Sequence, residues 1–171
     1  MALTGGTMST PISSPVTDLL EAQGIAFEVI EIPLTEDKKP VRNLEELLSS
    51  QGHDPKSVVR SLLFKTGSDN YVLLAVASGG RADWGILRKH LEERKLRMAE
   101  FDEVPEATGY VVGAVPPIAL PDSVTVLLDE SVTKFDNVVI GSGVLGYALG
   151  LTSADLQKVM ADVDRGTFVK E

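Results

Sequence analysis

VVRSLLFKTGSDNYVLLAVA, residues 58 to 77, decides the fold class of this chain. Val58 to Lys65 and Tyr71 to Ala77 are two aliphatic, β-branched runs, and Gly67-Ser68-Asp69-Asn70 between them is turn chemistry, so the segment reads as an antiparallel hairpin. Within the first run Arg60 shares a face with Leu62 and Phe64, because side chains alternate along a strand. A permanent cation ending an apolar face has two readings: an arginine snorkelling to water or paired with a carboxylate, or a cation lining a pocket for a phosphate, a carboxylate or a developing oxyanion.

Outward from the hairpin the pattern stays mixed. Downstream, Gly79-Gly80 ends the second strand, and Asp83 caps a helix with Trp84, Leu87 and Leu91 at helical spacing. The other side of that helix is expected to carry most of the basic run Arg81, Arg88, Lys89, Arg94, Lys95 and Arg97. Phe101 to Thr108 reads as a short helix stopped by Gly109, and Tyr110 to Val115 as strand-like until Pro116-Pro117 breaks it. Val124 to Leu128, Asn137 to Ile140 and Tyr147 to Leu151 read as strands, with a tight Gly141-Ser142-Gly143 turn before the last. Thr152 with Asp155 caps a final helix bearing Leu156, Val159 and Met160.

Upstream, Ser14-Pro15 opens a helix with Val16, Leu19 and Leu20 on its apolar stripe and Gly24 at its end. Ala26 to Ile32 reads as a strand, and Asn43 with Glu46 as the capping box of a short helix using Leu44, Leu47 and Leu48, closed by Gln51-Gly52. Residues 1–13 are small and aperiodic and are expected to be a flexible leader, which leaves residues 14–171 as a single domain without repeat or linker. Strand runs outnumber long helices and several form hairpins. The expected class is therefore α+β, a compact, mixed, largely antiparallel barrel or sheet flanked by helices, rather than a doubly wound parallel sheet.

Composition narrows the chemistry. The 171 residues include no cysteine, which removes disulfides, thiolate nucleophiles and cysteine-ligated metal. No apolar run is long enough to span a bilayer and the N-terminus lacks a secretory pattern, so a cytoplasmic protein with no membrane partner is expected. The formal net charge of −9 repels polyanions at long range, while the basic run from 81 to 97 offers a local exception.

GSGVLG places glycines 141, 143 and 146 at G-x-G-x-x-G spacing, but too little chain follows for the rest of a dinucleotide fold. Ser142 is a candidate nucleophile, yet the two histidines, His53 and His90, have no context that marks a base, so a Ser-His-Asp triad is unsupported. No spaced ligand cluster points to a metal, and no cofactor is expected. Asp129, ending an apolar strand, reads as a turn or cap residue.

The order of these features resembles one family. VVRSLLF, YVLLAVA, ADWGILRKHL, EATGYVVGAVPP, VTVLLDES and NVVIGSGVLGYALGLTSADL follow one another as in the YbaK/prolyl-tRNA-synthetase-associated domain, over roughly residues 15 to 162. The family's G-x-x-x-P loop matches Gly113 and Pro117, and its G-x-G turn matches Gly141, Ser142 and Gly143. The resemblance implies a compact mixed barrel that hydrolyses mischarged aminoacyl-tRNA, with the tRNA acceptor end as substrate and an aminoacyl-tRNA synthetase as a candidate partner. It implies Arg60, Gly113 and Ser142 at the reacting centre and Ser61, Ala114, Pro117, Gly141 and Gly143 around the substrate. Arg81, Arg88, Lys89 and Arg94 would be available to the tRNA. Water would attack the ester, helped by backbone N–H groups of the 113–117 loop and by a ribose hydroxyl.

Two positions depart from the family. Arg60 stands where it carries a lysine, which excludes a general base there and leaves a non-catalytic binding module of the same fold as the alternative. Ala148 stands where the cysteine-selective branch carries an acid, so the amino acid removed stays open.

Overall fold

The computed structural model describes residues 12–32, 49, 52, 54–77, 81–112 and 114–170. The segment expected to form the Asn43–Leu48 helix, most of the N-terminal leader, the Gly79-Gly80 stop, His53 and Gly113 lie outside the described residues.

The hairpin forms as its sequence dictates. Strand β2 (Val59–Thr66) pairs antiparallel with β3 (Tyr71–Ala77) from Val59 opposite Ala77 to Lys65 opposite Tyr71. The turn closes because Thr66 N–H donates to the Asn70 carbonyl at 2.9 Å and Asp69 accepts a left-handed φ of 64°. β3 is the centre of a five-stranded sheet, which is why YVLLAVA is apolar without alternation: Val72, Leu74 and Val76 are buried on one face and Leu73 and Ala75 on the other.

Next to β3 lies β6 (Val124–Asp129), parallel to it, then β9 (Asp164–Gly166), parallel again, while β5 (Leu96–Met98) flanks β2 antiparallel. A three-stranded antiparallel sheet orders β1 (Glu28–Glu31), β8 (Tyr147–Thr152) and β7 (Asn137–Gly141). A two-stranded ribbon joins β4 (Arg81–Ala82) to β10 (Val169–Lys170). A parallel bridge between Val58 and Val139 links the larger two sheets. The mixed, largely antiparallel α+β expectation holds, but among the described residues the strands stay in three sheets and close no barrel.

Two apolar layers follow from the alternation of β2 and β3. On one face Phe64, Leu74 and Val76 pack with Leu87 of helix α2 (Trp84–Leu91) and with Phe168 of the C-terminal segment. On the other, Val59, Ala75 and Leu128 meet the three-stranded sheet together with helices α1 (Pro15–Ala22) and α4 (Ser153–Val159), through Val16, Leu20 and Leu156. Ile12, assigned to the leader by its sequence, packs against this second layer. Helix α3 (Glu103–Thr108) covers Leu63 and Leu73 through Ala107. Among the described residues no helix is long and apolar enough to cross a membrane.

Caps fall where the sequence puts them. Ser14 accepts the N–H of Thr17, Asp83 accepts those of Gly85 and Ile86, and Thr152 accepts that of Asp155. Asp129 is a cap as expected: its carboxylate, 1 % exposed, accepts N–H groups from Ser131 at 2.9 Å and from Phe168 at 2.7 Å, tying the C-terminal segment to β6.

Two expectations need correction. Glu92 takes a left-handed φ of 56° and stops α2, so only Arg88 and Lys89 of the basic run lie on the helix, and Arg94, Lys95 and Arg97 lie beyond it. The described residues of the expected strand from Tyr110 to Val115 lie in no strand, because their backbone bonds go into local turns. Tyr110 N–H donates to the Thr108 hydroxyl, and Ala114 N–H donates to the Val111 carbonyl. β4, β5, β9 and β10 are two or three residues long, too short to leave a periodic signal.

Candidate active site

β5 pairs with β2 only along Phe64 to Thr66, so the first half of β2 has an edge without a strand neighbour in its sheet among the described residues. Ala99 donates its N–H to the Leu63 carbonyl at 2.9 Å, and antiparallel alternation then turns the N–H and C=O of Ser61 toward the same open side. A cavity of about 540 Å³ opens at this edge. Arg60 to Leu63 form one wall, Val139 to Gly141 with Tyr147 and Ala148 another, and Met98, Phe101 and Val104 a third, with Val112 and Val115 between.

The wall chemistry is spare. Among the described residues that line the cavity the titratable side chains are Arg60 and Tyr147, and there is no carboxylate or imidazole. Arg60 is exposed at the rim, and no hydrogen bond or ion pair engages it among the described residues. It also lines an adjoining groove of about 500 Å³ with Arg81, Leu62 and Trp84, so one arginine borders both spaces. Ser61 Oγ is buried without a hydrogen-bond partner, a desolvated hydroxyl in the wall itself. Leaving such a group unpaired costs about 1–3 kcal/mol, which a bound ligand can recover by hydrogen bonding.

The two glycine-containing loops meet beside this cavity. Gly143 N–H donates to the Ala114 carbonyl at 2.9 Å. A Cβ on Gly141 would overlap the Val115 carbonyl oxygen and stand 2.8 Å from the Val115 carbonyl carbon. A Cβ on Gly143, whose φ is 85°, would come within 2.8 Å of the Tyr110 ring. The GSG turn is thus glycine-rich because another backbone and a ring press on it. Tyr110 braces the arrangement by donating its hydroxyl to the Ala119 carbonyl at 2.7 Å, and burial pushes its pKa up.

Of the residues named from sequence, the structure brings Arg60, Ser61 and Gly141 to the cavity. Ser142 is 0 % exposed and does not line the cavity; its hydroxyl lies 2.9 Å from the Val144 carbonyl and 2.8 Å from the Tyr147 carbonyl while accepting Val144 N–H. Its own carbonyl accepts the Ser14 hydroxyl, so Ser142 ties the turn to α1. Ala114 and Gly143 bond one another across the loops, and Pro117 lines a different groove with Ile118 and Met160. In the loop after Gly113, Ala114 N–H is engaged and Pro116 and Pro117 have none, so Val115 is left with the loop's uncommitted N–H among the described residues. Arg88, Lys89 and Arg94 are not part of the cavity wall.

Sequence reasoning missed the third wall and its anchor. Glu103 accepts a two-point contact from Arg97, at 2.7 and 3.0 Å, as well as Glu100 N–H at 2.8 Å, Tyr71 hydroxyl at 3.2 Å and Lys65 Nζ at 3.4 Å. The Arg97 guanidinium, followed by the Glu100 amide, holds its carboxyl well below the usual carboxylate range. These contacts fix the start of α3, and with it Val104, against the sheet, with Phe101 exposed just before the helix. Apart from Glu100, three residues away, the partners of Glu103 lie six to 38 residues from it in the chain, a spacing that carries no local motif.

Residues 38–159 match the family of aminoacyl-tRNA editing domains. The proline–tRNA ligase of Kosmotoga olearia is 29% identical over 122 residues, 71% of this chain and 20% of the ligase, and that of Thermotoga maritima is 33% identical over 112 residues, 65% of this chain and 19% of the ligase. The chain thus spans about one fifth of the length of the curated relatives it matches. A solved protein proposed to be a trans-editing enzyme for prolyl tRNA synthetase superposes with a TM-score of 0.75 at 23% identity, covering 94% of this chain and 99% of the other, a likeness of fold. The resemblance read from motif order is borne out at the level of the family: this chain belongs to the aminoacyl-tRNA editing domains.

Proposed function

We propose that this chain hydrolyses the ester of mischarged aminoacyl-tRNA, with the aminoacyl group in the apolar cavity and the tRNA acceptor end leaving past Arg60. The observation that carries the reading is the cavity itself. At about 540 Å³ it lies within the size range of small-molecule sites, and among the described residues its walls offer an amino-acid side chain no charged partner except the rim arginine. A small uncharged residue fits that chemistry. Ala148, apolar and 5 % exposed, leaves no carboxylate there to select a thiol or an amine.

The described wall has no side-chain general base, so the reaction rests on positioning. Water attacks the ester carbonyl carbon, its oxygen forming the new bond as the bond to the ribose oxygen breaks. The neighbouring ribose hydroxyl orders the water, and the leaving ribose oxygen takes up the proton, giving free amino acid and deacylated tRNA. Val115 N–H and the edge N–H of Ser61 are the donors available to the carbonyl oxygen as it gains charge, and Arg60 is available to the terminal phosphate. Arg81 continues the positive edge along the adjoining groove, with Arg88, Lys89 and Arg94 further along the same basic run. By analogy with the ligases whose segment it matches, the acceptor end would be that of proline tRNA and the partner a prolyl-tRNA synthetase.

The test is deacylation of a panel of mischarged tRNAs, alanyl- and cysteinyl-tRNA specific for proline among them, by wild type, Arg60→Ala and Arg60→Lys. Selective hydrolysis is expected from wild type. Arg60→Ala should be about ten- to a hundredfold slower, the worth of a hydrogen bond to a charged group, and Arg60→Lys should recover part of the loss. Arg60 in place of the family lysine favours one second reading, a binding module without catalysis. A wild type that leaves every species at its spontaneous rate establishes that reading and ends the first.

A further inference from the structure

Phe101 is 78% exposed, Met98 43% and Val112 42%, and all three line the mouth of the same cavity. One exposed aromatic is ordinary, but three exposed apolar side chains around one cavity form a patch of the kind that marks a binding surface. The residues around Phe101 are tied together: Glu100 N–H donates to Glu103 at 2.8 Å, and Arg97 clamps the same carboxylate at 2.7 and 3.0 Å. Phe101 is therefore an exposed apolar plate beside a hydrogen-bonded helix start.

Covalent structure says what must lie there. If the aminoacyl group occupies the cavity, the ribose that carries it stands at the mouth, and the nucleobase of that same nucleotide is one sugar ring away. We propose that Phe101, flanked by Met98 and Val112, is the stacking platform for the unpaired 3′-terminal base of the tRNA, a role that deepens the editing assignment above and rests on it. Bases without a pairing partner are recognised by stacking on aromatic rings and by hydrogen bonds to their edges. The neighbours on either side, Glu100 and Asp102, are exposed carboxylates, which repel phosphate from this spot and accept hydrogen bonds from an exocyclic amine such as that of adenine or cytosine. Base at Phe101 and phosphate at Arg60 thus divide one nucleotide between two parts of the rim.

The experiment compares wild type, Phe101→Ala, Phe101→Leu and Phe101→Tyr. Readouts are KM and kcat for deacylation, and fluorescence anisotropy with an uncharged CCA-ended acceptor hairpin RNA beside the same RNA abasic at its 3′ terminus. A KM roughly ten- to a hundredfold higher in Phe101→Ala, with kcat moving far less, is expected from the loss of one base stack. Phe101→Tyr should retain wild-type KM, Phe101→Leu should not, and the abasic RNA should bind wild type as weakly as the intact RNA binds Phe101→Ala. An active wild type whose Phe101→Ala or Phe101→Leu keeps its KM overturns the platform and leaves the editing reading standing. A wild type inactive on every charged tRNA ends the editing reading, and the comparison of intact with abasic RNA then decides the platform alone. Sedimentation completes the set: a dimer abolished by Phe101→Ala assigns the patch to a second copy of the chain and overturns the proposal.

Discussion

Gly141→Ala tests the way the site is assembled. Gly141 ends β7 where the backbone of the 114–117 loop crosses it, and an added Cβ meets the Val115 carbonyl oxygen, the Val115 carbonyl carbon at 2.8 Å and the Ala114 oxygen at 3.1 Å. All three are backbone atoms, so no side-chain rotation relieves the overlap. Forcing a carbon into a packed contact costs about 1–3 kcal/mol. The Ala114 carbonyl that must retreat is also the acceptor for Gly143 N–H, a bond worth roughly 1 kcal/mol. The sum, about 2–4 kcal/mol, corresponds to a fall in Tm of roughly 5–15 °C for a chain of this size. Urea and thermal unfolding measure the loss, and hydrogen exchange of the Gly143 amide reports whether the contact between the loops opens. Gly109→Ala is the control: its φ is 83° but a Cβ there meets nothing within 4 Å, so it carries only the left-handed penalty of about 1–2 kcal/mol. A Gly141→Ala protein as stable as Gly109→Ala, with the Gly143 amide still protected, would refute the steric argument.

Two further substitutions probe the walls. Glu103→Gln should destabilise the protein at neutral pH; because the folded-state pKa of Glu103 is depressed, its contribution is fully present above the unfolded value of roughly 4.3 and fades as pH falls below it toward the folded pKa. The gap between the urea midpoints of wild type and variant should therefore be constant from pH 6 to 8 and narrow in acid, and a gap that widens in acid contradicts the assignment. Ser61→Ala removes a buried hydroxyl without a partner, so stability should hold or rise by up to about 1 kcal/mol while KM for deacylation increases. Lower stability with unchanged KM would make that hydroxyl part of the fold rather than of the site.

The hairpin of residues 58 to 77, the caps at Ser14, Asp83 and Thr152, and the cap role of Asp129 were legible in the sequence, because each depends on neighbours within a few residues and on alternation along one strand. The order of motifs was enough to place the chain in its family. Spacing also identified Arg60 as the cation on an apolar face, and the resemblance named Ser61 and Gly141 at the substrate, three residues that the fold brings to one cavity. The remainder was decided by contacts between distant segments. The bonds of the Ser142 hydroxyl to the Val144 and Tyr147 carbonyls bury it, and the described residues between Tyr110 and Val115 form local turns where alternation had suggested a strand. The third wall came from β5 and α3, held by a carboxylate whose partners Lys65 and Tyr71 lie in the hairpin. Local patterning determines which residues are turned inward; which of them face a common space is settled only when the sheets pack, since that depends on where β5 stops pairing with β2 and leaves the edge open.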